Sequence, residues 1–233
     1  MYRKELNERS PLRVFEQSIH GGLGPGNIGL ALGRHGVGKT AFLVGVALDD
    51  LMRGRKVLHV SLDQTLDKVR EYYDEIFMDL VRDNGLEDVG VERREMERNR
   101  NIHTWVGGSF TVERLREAID LLREHLHFVP RAIMIDGYDF DHATTQGLAD
   151  LRSIARDLEA EIWMTAVRHR EAPVNAKGLP EAVARLESEL GVIVSLHHDG
   201  KAVHVSLLKD HDNPTVSDTP VALDPTTMLL IRE

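Results

Sequence analysis

Cysteine is absent from the 233 residues of this chain, so neither a disulfide framework nor a thiolate metal site is available to it, and a reducing compartment suits it. No apolar stretch approaches the roughly 18 to 20 residues that cross a bilayer. Met1-Tyr2-Arg3-Lys4-Glu5-Leu6 leads into no apolar signal segment. Basic charge is in deficit, 29 Lys and Arg against 38 Asp and Glu for a formal net charge of −9, which argues against broad, sequence-independent binding to nucleic acid. Internal repeats and low-complexity tracts are missing as well. These absences point to a soluble, cytoplasmic protein with no membrane partner, of a length that suits one α/β domain over residues 1–233.

What is present is concentrated in one stretch. Gly33-Arg34-His35-Gly36-Val37-Gly38-Lys39-Thr40 matches G-x-x-x-x-G-K-[ST] at every fixed position. Glycines let such a loop curl so that several N–H groups point at one anion, and the following helix adds its positive N-terminus. The spacing therefore predicts a site for a nucleoside triphosphate, with Lys39 on the β/γ-phosphates and Thr40 on Mg²⁺. A strand-like run, Asn27-Ile28-Gly29-Leu30-Ala31-Leu32, precedes the loop, and Phe42, Leu43, Val46, Ala47 and Leu51 follow it at helical spacing.

Strand and helix patterns then alternate. Lys56 to Ser61 reads as a strand, and Leu66, Val69, Tyr72, Tyr73, Ile76, Phe77 and Leu80 mark the core stripe of a long helix. Residues 84–100 weaken into glycine and mixed charge, expected as a surface excursion in which Glu92 to Arg100 reads as a solvated helix or connector and not a phosphate-binding face, and residues 1–18 read as a lead-in. Further strands are expected from Asn101 to Trp105, Arg131 to Asp136 and Glu161 to Val167, with helices from Val112 to Leu126 and Thr145 to Leu158 between them. Val192 to Leu196 and Ala202 to Leu208 read as a hairpin whose turn, Asp199-Gly200, supplies positive φ angles, and Leu223 and Met228 to Ile231 offer a last strand or two. The expected architecture is a mostly parallel central sheet flanked by helices and extended by a C-terminal antiparallel hairpin.

Asp136 ends a buried run on the same sheet edge as the loop, where a carboxylate completes a Mg²⁺ shell or simply caps the next turn. Asp63 and Gln64 end the second strand on that edge. They suit the orientation of an attacking water, or a polar turn before a helix capped by Thr65, and spacing alone does not choose. Asp139 and Asp141 read as turn residues. His197 and His198 are adjacent in a strand, point to opposite faces and lack a cysteine partner, so they read as solvated hairpin residues and not as zinc ligands.

The order of these elements resembles the RecA-like P-loop ATPases, nearest to the KaiC/RadA branch, and Ile19-His20-Gly21-Gly22-Leu23-Gly24-Pro25-Gly26-Asn27-Ile28 is similar to that branch's lead-in. The resemblance covers about residues 12–232. It implies a homo-oligomer, ring or filament, with ATP or ADP and Mg²⁺ between subunits, Lys39, Thr40 and Asp136 on one side and Lys209 reaching a neighbour's γ-phosphate. It also exposes departures. Asp63-Gln64 stand where that branch carries two glutamates, His211 stands for the arginine of Lys-x-Arg, and Ala166 stands for a γ-phosphate-sensing glutamine, with Thr165 the nearest polar substitute.

Those replacements imply slow turnover, or a nucleotide-gated regulatory or scaffold protein with its own protein partner and little hydrolysis. The segment from Arg168 to Gly178 lies where RecA recombinases touch DNA. It carries no base-stacking residue in an acidic chain, which argues for a solvated loop over a single-stranded DNA contact.

Overall fold

The computed structural model describes every residue except Val106, Arg170, Glu171 and Ala172. Helices α1 (Arg3–Arg9) and α2 (Pro11–Ser18) precede β1 (Ile28–Gly33), after which come α3 (Lys39–Met52), β2 (Val57–Ser61), α4 (Leu66–Asn84), α5 (Val89–Asn99) and β3 (Arg100–Thr104). Next are α6 (Val112–Leu126), β4 (Ala132–Asp136), α7 (Thr145–Leu158) and β5 (Glu161–Val167). A single turn, α8 (Glu181–Ala184), and a 3₁₀ turn (Glu187–Glu189) lead into β6 (Val192–His198), β7 (Val203–Asp210), β8 (Val221–Leu223) and β9 (Leu230–Arg232). Among the described residues none of the helices is long and apolar enough to cross a membrane.

The described strands form one sheet of nine in the order β3-β2-β4-β5-β1-β6-β7-β8-β9. Pairings from β3 through β6 are parallel, and those of β7, β8 and β9 are antiparallel. The mixed α/β class, with its parallel centre and antiparallel C-terminal extension, is the one expected from the alternating pattern. Parallel strands place their C-terminal ends together: Gly33 lies beside Val167 and Leu196, and Asp136 lies beside Ser61. That edge carries the site described below.

The central strand separates two cores by residue size. Ile28, Leu30 and Leu32 pack with α6 and α7, while Ala31 joins the core of α2 and α3 on the other face. Gly29 leaves room there for an aromatic cluster, since a Cβ built on it would lie 2.6 Å from the Trp163 ring. Phe15, Phe42 and Trp163 meet in that space with ring centroids 5.7 to 6.1 Å apart. Small residues on one face thus let α3 approach the strand that feeds it.

Two expectations need correction. Residues 84–100 are not only a surface excursion: α5 occupies most of them and buries Met96 against the α3 side of the core. One deeply buried residue in an otherwise charged helix gives too sparse a period to read. At the hairpin, Gly200 alone of the expected pair has positive φ, +103°. Asp199 instead closes the turn with its carboxylate, whose Oδ1 accepts the N–H groups of Lys201 at 2.8 Å and Ala202 at 3.0 Å. The lead-in is helical; Ser10 caps α2 by accepting the Leu12 N–H at 3.3 Å, and Leu6, Leu12 and Phe15 are buried.

Candidate functional site

Loop 33–40 leaves the centre of the sheet and turns directly into α3. Gly36 (φ +72°) and Gly38 (φ +100°) occupy left-handed conformations, and a Cβ at Gly36 would meet nothing within 4 Å. Gly38 is the helix N-cap and offers no side-chain acceptor, so among the described residues the amides of Gly38, Lys39 and Thr40 have no hydrogen-bond acceptor. Lys39 crosses the mouth of the loop and donates from Nζ to the Arg34 carbonyl at 2.8 Å. Burial lowers its pKa, against the pull of Asp136 and Asp63. An ammonium so placed, with free amides around it, can accept an anion and give up its loop carbonyl in exchange.

Asp136 is buried at the end of β4, and both of its oxygens accept hydroxyl protons. Thr40 Oγ1 donates to Oδ2 at 2.7 Å, and Thr165 Oγ1 donates to Oδ1 at 2.5 Å. With its proton committed to Asp136, the Thr40 oxygen keeps its lone pairs available to a cation. A hydroxyl and a carboxylate are hard oxygen donors, the chemistry that suits Mg²⁺ held by few protein ligands plus substrate phosphates. No group of three or more His, Cys, Asp or Glu side chains able to hold a metal occurs among the described residues.

Asp63 comes to the same edge. Its carboxyl lies against Gly137, where a Cβ would sit 2.9 Å from Asp63 Cγ, and Gly137 itself has φ +83°. Burial and then the Asp136 charge raise the Asp63 pKa, while a hydrogen bond from the Gln64 side chain lowers it. Gln64 thus addresses its neighbour, and its N–H donates to Ser61 Oγ at 3.0 Å. Thr65 caps α4, its hydroxyl accepting the Lys68 N–H at 3.4 Å. Capping and site placement coexist, because the cap uses Thr65 and leaves Asp63 facing Lys39 and Asp136.

Two cavities flank the loop. One of about 560 Å³ opens beside Asp63 and is walled by Gly137, Tyr138, Phe140, His169 and Arg185. The other, about 510 Å³, lies between the loop and the β6–β7 hairpin, with Arg34, Val37, Arg168, Val203 and Met228 in its wall. His35 borders both.

Lys209 is not brought to this edge. It pairs with Ile193 near the far end of β7, and its Nζ donates to the carbonyls of Glu187 and Leu190, each at 2.6 Å. Burial lowers its pKa. His211, at φ +50°, spans Asp210 Oδ1 at 2.8 Å and the Leu23 carbonyl at 3.0 Å, pinning the glycine-rich segment before β1. His197 and His198 are exposed, and His197 stacks on His204. Asp139 accepts the N–H groups of Asp141 and His142, as a turn residue does. Of the segment from Arg168 to Gly178, residues 170–172 lie outside the described ones, and Asn175 closes a turn by accepting from Lys177 and Leu179.

Sequence reasoning names Thr165 only as a polar substitute for a γ-phosphate sensor; its hydrogen bonds to Asp136 and Gly137, and the place of Gly137 beneath Asp63, are not read there. The available signal was a threonine in an otherwise apolar stretch of β5 and a glycine directly after Asp136. No protein-family model matches the chain, and no curated protein matches it.

Proposed function

We propose that this chain is a RecA-like P-loop protein that binds ATP with Mg²⁺ and hydrolyses it slowly, as a homo-oligomer with nucleotide between subunits. The observation that carries the reading is the Thr40 to Asp136 hydrogen bond of 2.7 Å beside a loop of free amides. Loop 33–40 holds the phosphates through its amides and Lys39, and Thr40 and Asp136 hold the cation. Mg²⁺, when bound, neutralises charge on the β- and γ-phosphates. Asp63 hydrogen-bonds the attacking water and takes its proton as the water oxygen bonds to the γ-phosphorus and the β–γ bridging bond breaks, leaving ADP and phosphate. Its raised pKa makes it a better proton acceptor than an ordinary aspartate.

A nucleotide-gated scaffold with little hydrolysis is the second reading. It is favoured by the Gln64 contact to Asp63 and by Lys209, whose ammonium has to leave two carbonyls before it serves a neighbouring subunit. Mg²⁺-dependent phosphate release over a range of protein concentrations separates the two, with Lys39→Ala as the blank. Release above the blank that rises more than linearly with concentration supports a shared site, and release equal to the blank removes the enzyme reading.

A further inference from the structure

Thr165 stands on β5, the strand between β4 and β1, and is 1% exposed. Its hydroxyl donates to Asp136 Oδ1 at 2.5 Å and accepts the Gly137 N–H at 2.8 Å. Its own carbonyl accepts the Tyr138 N–H at 3.2 Å. One residue therefore holds the side chain of Asp136 and the first two amides of the segment that follows it.

A hydroxyl with its proton and one lone pair both committed cannot rotate away. Neither can the Asp136 carboxylate turn about its Cβ–Cγ bond, since Thr40 on α3 holds its second oxygen at 2.7 Å. Two hydroxyls from two elements thus fix the plane of a carboxylate at the end of β4. A ligand carboxylate held this way binds its cation without first losing rotational freedom, and partners of this outer kind typically change metal affinity about 10- to 100-fold when removed.

We propose that Thr165 is the positioning residue for the divalent cation. In this role it fixes Asp136 for the metal and joins the metal site to the 137–141 segment that walls the larger cavity. This inference rests on the Mg²⁺-nucleotide reading above. It goes further by naming a residue that touches neither nucleotide nor metal and by coupling the cation to that wall. A buried threonine that merely satisfies two neighbours predicts a loss of stability when altered and no selective change at the metal.

The test is Mn²⁺ binding followed by the electron paramagnetic resonance signal of the free ion, at saturating adenosine 5′-(β,γ-imido)triphosphate. Wild-type chain is compared with Thr165→Ser, Thr165→Val and Thr165→Cys. Thr165→Val, isosteric but without the hydroxyl, is expected to weaken Mn²⁺ about 10- to 100-fold. Thr165→Ser is expected to keep most of the wild-type affinity, and the thiol of Thr165→Cys, a weak donor, to fall between them. Nucleotide affinity in EDTA is expected to stay unchanged in all four, and the amides of Gly137 and Tyr138 to exchange faster in Thr165→Val.

Equal Mn²⁺ affinity in wild type and a folded Thr165→Val overturns the proposal. Should Thr165→Val fail to fold, equal affinity in Thr165→Cys overturns it just as well. If wild type binds the nucleotide analogue in neither EDTA nor Mn²⁺, the nucleotide reading itself falls and takes the inference with it; nucleotide binding with an indifferent Thr165 removes the inference alone.

Discussion

Replacing Asp50 by asparagine is expected to stabilise this protein above neutral pH and to do little or the reverse in mild acid. Asp50 sits on α3 at 5% exposure, with Arg55 Nη1 at 3.0 Å from its Oδ1. Burial lifts its carboxyl from the ordinary 3.8 to about 7; Arg55 opposes the rise, and Glu161 and Asp49 add to it. A folded chain with such a group binds more protons than the unfolded chain between those two values. Its contribution to stability is full below about 4 and is lost as the pH rises through about 7. The gap between the two values corresponds to about 4 kcal/mol of penalty for the ionised form.

Asparagine removes that penalty, in which the Arg55 attraction is already counted, but leaves the half-exposed Arg55 facing a neutral amide, which gives back part of the gain. The net expectation at pH 8 is a gain of about 1 to 2 kcal/mol, or a rise of about 2 to 8 °C in melting temperature. Urea unfolding of wild type and Asp50→Asn at pH 5 and pH 8 reads the difference directly. Glu16, also raised to about 7 by burial, titrates in the same window and shares the attraction of Arg55, so an Asp50→Asn, Glu16→Gln pair compared with Glu16→Gln alone isolates the Asp50 contribution. A variant less stable than wild type at pH 8, or a difference that does not change between the two pH values, would refute the burial argument.

Other consequences follow from named contacts. Gly29→Ala places a methyl into the Trp163 ring and is expected to cost about 1 to 3 kcal/mol, and combining it with Trp163→Leu should cost less than the two changes added together in urea unfolding. Asp63→Asn should lower phosphate release by about 100-fold with nucleotide affinity retained, since it removes the proton acceptor and spares the phosphate cradle. Unchanged release assigns Asp63 to the turn alone. Lys209→Ala exposes the Glu187 and Leu190 carbonyls and should lower stability by about 1 to 2 kcal/mol. Mixing it with Lys39→Ala should restore part of the phosphate release if sites are shared between subunits, and a mixture as inactive as its components speaks against sharing.

The sequence by itself determined the alternation of strands and helices, because an apolar face must recur at a period of two or 3.6 to be buried at all. The bounds of α6, α7 and β5 match the ranges that period marks, while the capping of the two helices by Thr111 and Thr144 is seen in the structure. It also determined loop 33–40, whose glycines, lysine and threonine are contiguous, and the strand-end position of Asp136. The mixed charge of Glu92 to Arg100 suited a solvated helix or connector, but the buried side of α5 was not legible because a single buried methionine marks no period.

Only the tertiary structure decided how distant residues meet. Thr40, Asp136 and Thr165 are separated by 96 and 29 positions and meet because β1, β5 and β4 lie side by side with their C-terminal ends aligned. The same register sends β7 back toward the other end, so Lys209 lies away from the loop of its own chain and donates to the Glu187 and Leu190 carbonyls. Periodicity records which face of each element is buried, and strand order, which it does not record, decides which strand ends share an edge.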